Sequence, residues 1–419
     1  MKIALLGQFG SGNIGNDGSL KSMTEYLREY APDADLLCIC SRPEEIMATM
    51  GLAAVGITRS ASLSQGRSLV VSKLSRLNRI RQNFEYAFRT AKDCDLIIVP
   101  GTGILDDFKE LPFGWPFCLL RWTTAARLAR TPVAFVSVGA GPINNWLSRR
   151  FLISAAKGTD YISYRDQNSL DYMSEYGSAY NNSVYPDIVF RQKSQETRRV
   201  KRNARERPCI GLGVMNYSGW SKSGANNQET YERYISEMTL LARLLTSEGS
   251  QVRLLTGGRE DRTAVEEILD AAKRWQDEET SSLLEYNEIN SLDDLRDEIA
   301  QTDIVVASRY HNVVCSLAML KPTISLAYAS KNDAIMRDFG LQDYSRSISN
   351  FAARDILGLI KMAHADGANI ARRSAITMRD YRRRLSIQDL CIFNLFLIRT
   401  QRRLDTTFAH DSRDDLRCE

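Results

Sequence analysis

Short, continuous apolar runs recur along the chain, separated by longer segments whose apolar residues fall three and four positions apart. The runs at 2–6, 36–40, 95–99 and 133–138 do not alternate with polar residues. Strands buried on both faces of a parallel sheet read this way. Helical spacing fills 18–30 and 117–130 between them. A second series starts at 209–214 and continues at 252–256, 303–307 and 323–328. The pattern predicts two doubly wound α/β (Rossmann-like) domains facing a cleft. The predicted limits are 1–190 for the first domain and 209–350 for the second, joined by a linker at 191–208 that holds eight basic residues and closes on a proline. From 351 to 419 the pattern is helical and rich in arginine, with an apolar patch at 390–398.

Composition narrows the class. At 419 residues with 43% apolar and 25% charged positions, the chain can bury two full cores. A net charge of +4 is too small for a nucleic-acid footprint. No apolar run reaches the ~20 residues of a membrane span, and the first strand begins where a leader peptide would stand, so a cytoplasmic protein is expected. Two basic amphipathic stretches, 69–89 and the arginine-rich tail, could touch anionic lipid, giving a peripheral place at the inner face of a membrane. The eight cysteines are scattered. They read as buried thiols, and no His or Cys cluster suggests a metal.

Ligands of doubly wound sheets bind beyond the carboxyl ends of strands, and four such ends carry unusual residues. Gly10, Gly12 and Gly15 have G-x-G-x-x-G spacing after the first strand. Ser41 and Arg42 stand after the second strand, where a dinucleotide site wants an acid, and no P-loop motif occurs. Gly101 and Gly103 follow the strand at 95–99, and a similar Ser137–Pro142 segment follows the next. Arg165 and Asp166 end a short strand near 161. Most telling is the strand at 303–307, which runs directly into Arg309 and His311 at the head of an apolar helix, with Lys331 after the following strand. Two cations, an imidazole and helix N–H groups make an anion site with a proton donor in it.

Taken in order, these segments resemble the polysaccharide pyruvyl transferase family. Gly12-Asn13-Ile14-Gly15-Asn16-Asp17 is similar to that family's G-N-x-G-D-E loop, with Asn16 in place of the first acid. The Gly101–Gly103 turn, the V-G-x-G segment from Val138 to Gly141, Ile162-Ser163-Tyr164-Arg165-Asp166, Pro186-Asp187, the Arg309-Tyr310-His311 signature and Lys331 follow in the family's order across 1–345. The resemblance implies a GT-B-type fold and transfer of the enolpyruvyl group of phosphoenolpyruvate to sugar hydroxyls of a glycan or lipid-linked saccharide, as in exopolysaccharide synthesis. Under that resemblance His311 is the proton donor and Asp17 orients an acceptor hydroxyl. Arg165, Arg309 and Lys331 bind the donor's anionic groups, with Asn13, Gly15, Gly101 and Gly103 shaping the substrate loops. No cofactor or metal is implied. A GT-B glycosyltransferase using a nucleotide sugar, and a non-catalytic glycan-binding relative, remain the alternatives. Acceptor loops would fall near 56–68 and 106–116.

Overall fold

The computed structural model describes residues 1–59, 73–108, 110–177, 183–192, 208–219, 227–275 and 278–397. Its contacts divide the chain into two compact units. One comprises Met1–Ser11, Ser19–Ile188 and the chain from Arg383 onward, the other Gly12–Gly18 and Val189–Arg382.

The strands and helices of the first half are β1 (Lys2–Leu6), α1 (Ile14–Tyr30), β2 (Asp35–Cys40), α2 (Pro43–Met50), β3 (Ala53–Gly56), α3 (Lys73–Lys92), β4 (Leu96–Pro100), α4 (Trp115–Ala129), β5 (Val133–Val138), α5 (Trp146–Lys157), β6 (Tyr161–Tyr164), α6 (Gln167–Ser174) and β7 (Ser183–Val184). Its seven strands are all parallel, in the order β3-β2-β1-β4-β5-β6-β7. The core lies where α3, α4 and α5 cover this sheet, around the buried Trp122, Phe135, Leu119 and Tyr164. The Trp122 indole N–H donates to the Ile57 carbonyl at 3.1 Å. A large ring is thereby buried without stranding its polar atom.

The second half contains β8 (Cys209–Gly213), α7 (Asn227–Ser247), β9 (Gln251–Leu255), α8 (Arg262–Ala272), α9 (Glu278–Ser282), β10 (Leu284–Tyr286), α10 (Leu292–Ala300), β11 (Ile304–Ala307), α11 (Tyr310–Ala318), β12 (Thr323–Ala327), α12 (Ser330–Asp338), β13 (Ser345–Ser347), α13 (Ala353–Ala365) and α14 (Gly367–Ile392). Its sheet is also parallel, in the order β10-β9-β8-β11-β12-β13. Both units therefore reverse strand order next to their first strand, between β1 and β4 and between β8 and β11. These are the switch points where doubly wound folds bind ligands.

Every long buried strand lies within a residue of its expected place. The expected helix 18–30 begins earlier, at Ile14, inside the glycine-rich segment. The edge strands β10 and β13 are short and polar, and β3 is a four-residue Ala-Ala-Val-Gly strand with only small side chains beside its valine. Of the expected linker, 193–207 lies outside the described residues, as do 60–68 and 109 of the expected acceptor loops. The described part of the arginine-rich tail, 351–397, is packed. Helix α13 packs on α7, and the backbone N–H of Ala353 donates to Glu237 at 2.7 Å. In the first unit the end of the tail buries Ile392, Phe396 and Leu397, with Phe396 edge-on to Tyr161 at 6.5 Å. No helix among the described residues is long and apolar enough to cross a membrane.

Six of the seven described cysteines are buried as free thiols. Burial pushes both Cys94 and Cys118 up to about 11. Neither thiol is then ionised at neutral pH, and the thiolate is the reactive form. Iodoacetamide at pH 7.5 is expected to leave Cys94 and Cys118 unlabelled in the native protein and to label both in urea, read by peptide mass mapping.

Candidate functional site

Candidate residues gather at the carboxyl end of each sheet. In the second unit the organising group is Asp261, a fully buried carboxylate just after β9. Its Oδ1 accepts from the Asn216 backbone N–H at 2.9 Å, and its Oδ2 accepts from that of Gly257 at 3.1 Å. Arg309 completes the set, with Nε to Oδ2 at 2.9 Å and Nη2 to Oδ1 at 2.6 Å. Glu260 takes a further bond from Nη2 at 2.6 Å. The loops after β8, β9 and β11 thus meet on one carboxylate. Burial opposes charge on Arg309, but Asp261 and then Glu260 outweigh it and hold the guanidinium pKa above its ordinary range. Asp261 escaped the sequence reading. Its only signal is an acid following a Gly-Gly turn at a strand end.

A second buried link joins the same loops. Tyr234 receives the Met215 backbone N–H at 3.1 Å and lies 3.2 Å from the Ser308 hydroxyl, which donates to the Gly213 carbonyl at 3.0 Å. Burial pushes the Tyr234 phenol up to about 12, so it stays protonated.

Arg309 is the N-cap of α11, and His311 is in that helix's first turn. The segment Gly12–Gly18 packs on this region within the same unit. Asn13 bridges Gly258, and the Arg259 N–H donates to the Gly12 carbonyl at 3.1 Å. The Asn13 side chain accepts from the Gly15 N–H at 3.1 Å, which caps α1. A Cβ at position 15 would overlap the His311 imidazole, and one at position 18 would stand 2.5 Å from Leu292. Helix α1 therefore carries two glycines, despite their poor helix propensity, because a ring and a leucine press on one of its faces. Asp17 lies two residues beyond Gly15, about 200° around the helix. It is thus on a different face from the one touching His311.

Lys331, in the first turn of α12, holds its ammonium 4.9 Å from the Tyr328 ring centre and 5.6 Å from that of Tyr310. Tyr310 is edge-on to His311 at 5.3 Å. No described carboxylate pairs with Lys331. The second unit thus brings together Asn13, Gly15, Arg309, His311 and Lys331.

In the first unit Gly101, Gly103 and Arg165 converge. The Gly101–Gly103 turn and the Val138–Gly141 segment run side by side, Gly139 N–H to the Thr102 carbonyl at 2.7 Å and Leu105 N–H to the Gly139 carbonyl at 3.1 Å. Thr102 and Ser137 adopt φ values of 66° and 50°. That region is costly for residues with a side chain and is seen chiefly where surrounding structure enforces it. The buried Arg165 guanidinium lies against Gly139, where a Cβ would stand 2.6 Å from Nε, and 3.5 Å from a Cβ at Gly103. It pairs with Asp187 at 3.5 Å and Asp166 at 3.6 Å.

The strand irregularity that sets this up is held from the tail. Buried Gln388, from α14, donates to the hydroxyls of Ser137 at 2.9 Å and Ser163 at 2.8 Å. The Ser163 hydroxyl in turn accepts the Ser137 N–H at 2.8 Å, where the β5–β6 register shifts.

The family profile described as Polysaccharide pyruvyl transferase matches residues 13–330, three quarters of the chain. The chain belongs to the polysaccharide pyruvyl transferase family. This is a transferase family, and the match spans each of the segments above except Gly12, Lys331 and Gln388. No curated protein matches the sequence. Among solved structures, UDP-GlcNAc 2-epimerase from Neisseria meningitidis, bound to UDP-GlcNAc, is similar over 93% of this chain and 100% of that one at 10% identity and a TM-score of 0.59. The S. aureus MnaA–UDP co-structure is similar over 89% and 90% at 10% identity and 0.56. Trehalose 6-phosphate synthase from Burkholderia multivorans is similar over 95% and 98% at 11% identity and 0.54. At such identities the likeness establishes the GT-B fold alone.

The family's glycine at position 15 and its histidine at 311 are one packing unit. Gly15→Ala is expected to lower the melting temperature clearly, and combining it with His311→Ala should recover much of the loss in a double-mutant cycle. Additive effects would show that the two residues do not touch. Arg309→Met leaves Asp261 buried without its cationic partner, which is expected to cost about 3 to 5 kcal/mol by urea titration. An unchanged urea midpoint would rule out the clamp.

Proposed function

We propose that the protein is a cytoplasmic transferase moving the pyruvyl group of phosphoenolpyruvate onto sugar hydroxyls of a glycan or lipid-linked saccharide, forming a ketal. The observation that supports this most is the half-buried His311 imidazole at the start of α11, seated on Gly15 and flanked through Tyr310 by Lys331.

Phosphoenolpyruvate carries a phosphate, a carboxylate and a terminal methylene. Lys331 and the N–H groups at the start of α11 are suited to the anions. Arg309 contributes less charge than its type suggests, because Nε and Nη2 serve Asp261 and Glu260, leaving Nη1 as the edge it can offer. In the first unit Arg165 is partly neutralised in the same way by Asp187 and Asp166.

His311 delivers a proton to the methylene carbon, which becomes the methyl group, and positive charge develops on the adjacent carbon. A sugar hydroxyl forms a C–O bond there. The phosphate C–O bond then breaks, and a second hydroxyl closes the ketal. Of the two hydroxyl protons released, one restores the imidazolium and the other leaves with inorganic phosphate. Asp17 is proposed to orient the acceptor hydroxyl. No cofactor enters these steps.

With phosphoenolpyruvate and a bacterial glycan pool, wild type is expected to release phosphate and add a pyruvate ketal to the glycan, read by mass spectrometry. His311→Gln should lower turnover by roughly 10²- to 10⁴-fold, the usual worth of a general acid. Lys331→Met should raise the Michaelis constant for phosphoenolpyruvate roughly tenfold, one lost charge-assisted contact, with the melting temperature unchanged. Release of nucleotide from a sugar nucleotide, without phosphate from phosphoenolpyruvate, would replace this reading by the glycosyltransferase one.

A further inference from the structure

In the first unit, helices α3, α4 and α5 pack side by side and all start at the carboxyl end of the sheet. Ring contacts set their levels. Tyr86 of α3 lies edge-on to Trp122 of α4 at 6.0 Å, and Phe117 of α4 lies 5.4 Å from Phe151 of α5. Seven residues back along each of the first pair puts Arg79 level with Trp115, the first residue of α4, and Phe113, just before α4, meets Phe151, five residues on from Trp146 at the start of α5. One rim therefore carries Leu77, Leu111, Phe113 and Trp146, which are 65%, 77%, 62% and 69% exposed. Phe113 packs tilted against Phe117 at 5.6 Å and edge-on to Phe151 at 5.9 Å, so this exposed ring is held rather than loose.

The charges of the rim are sorted. Its acids turn inward: Asp107 accepts the backbone N–H groups of Asn144 and Asn145 at 3.0 and 2.8 Å, and Glu110 takes Gln8 at 2.8 Å and the Trp115 N–H at 3.2 Å. Arg79, Arg81 and Arg150 stand exposed around the apolar residues. A soluble surface rarely spends a tryptophan, a phenylalanine and two leucines on one edge without a partner. Ring and aliphatic side chains ringed by arginine suit the headgroup layer of an anionic bilayer, where apolar groups enter and arginine meets phosphate.

We propose that this rim, formed by Leu77, Leu111, Phe113 and Trp146 with Arg79, Arg81 and Arg150, docks the protein on an anionic membrane surface. The basic stretch expected at 69–89 contributes only its described exposed part, Leu77 to Gln82, and the aromatic anchors come from elsewhere in the chain. Two described arginines of the tail are engaged elsewhere and are left out of it: Arg373 pairs with Asp366 at 3.1 Å and Arg384 donates to the Val184 carbonyl at 2.9 Å.

The test is flotation of the full chain with vesicles of phosphatidylcholine alone or mixed with phosphatidylglycerol. Wild type should float with the anionic vesicles and less so as salt rises. Phe113→Ser with Trp146→Ser should weaken flotation roughly tenfold or more. Arg79→Glu with Arg81→Glu should remove the salt-sensitive part. Arg372→Glu with Arg379→Glu, in the tail, should change nothing. All variants replace exposed side chains, and unchanged thermal melts will confirm that they fold. Absence of wild-type binding, binding that survives the rim changes, or binding lost only in the tail variant would overturn the proposal. So would rim variants that turn a dimer into a monomer by light scattering, since the rim would then be a subunit interface. The assay requires no turnover, so its failure would leave the pyruvyl-transfer reading standing, and the reverse also holds.

Discussion

A fully buried carboxylate at the end of a parallel strand is an expensive object, and the second unit is arranged around answering one. Asp261 receives two guanidinium N–H bonds from Arg309 and one backbone N–H from each of two loops. A buried ion pair of this kind adds little net stability against an apolar alternative. What it supplies is a unique arrangement, because any displacement strands a charge. Three strand-end loops have to agree on one position, and that position sets the first turn of α11. His311 is in that turn, so the orientation of the proposed acid is inherited from an ion pair two residues upstream.

The first unit reaches a similar end by different means. Arg165 is also buried at a strand end and also faced by two carboxylates, but its place is made by absence. Gly139 and Gly103 leave the space that the guanidinium fills. The left-handed backbone at Ser137 and Thr102 is the strain that accompanies this slot, and Gln388 is the prop that holds it. In both units an arginine that reads as a free cation in sequence is largely committed to its neighbours. Lys331, by contrast, is set over two tyrosine rings.

Much of this was legible in order along the chain. Buried parallel strands are continuous apolar runs, so β1, β4, β5, β8, β11 and β12 are visible as such, and the residues that follow them are the candidate site. The edge strands were not, since β10 and β13 are short and polar and β3 is only four residues of mostly small side chains. The start of α1 was obscured because glycine usually ends helices, whereas Gly15 and Gly18 are there to admit His311 and Leu292. Asp261 could be read only as an acid after a Gly-Gly turn, and Gln388 not at all. Each acts through partners roughly 50 and 250 residues away in sequence, and no local pattern distinguishes a buried Asp or Gln from a solvated one.

The proposed mechanism requires the second unit to bind phosphoenolpyruvate beside His311. Calorimetric titration of the isolated protein with phosphoenolpyruvate, without acceptor, tests it most directly when repeated on His311→Gln and Lys331→Met. Saturable one-to-one binding is expected, nearly retained in His311→Gln and clearly weakened in Lys331→Met. Absence of binding to phosphoenolpyruvate in the wild-type protein, together with saturable binding of a uridine-diphosphate sugar, would contradict it.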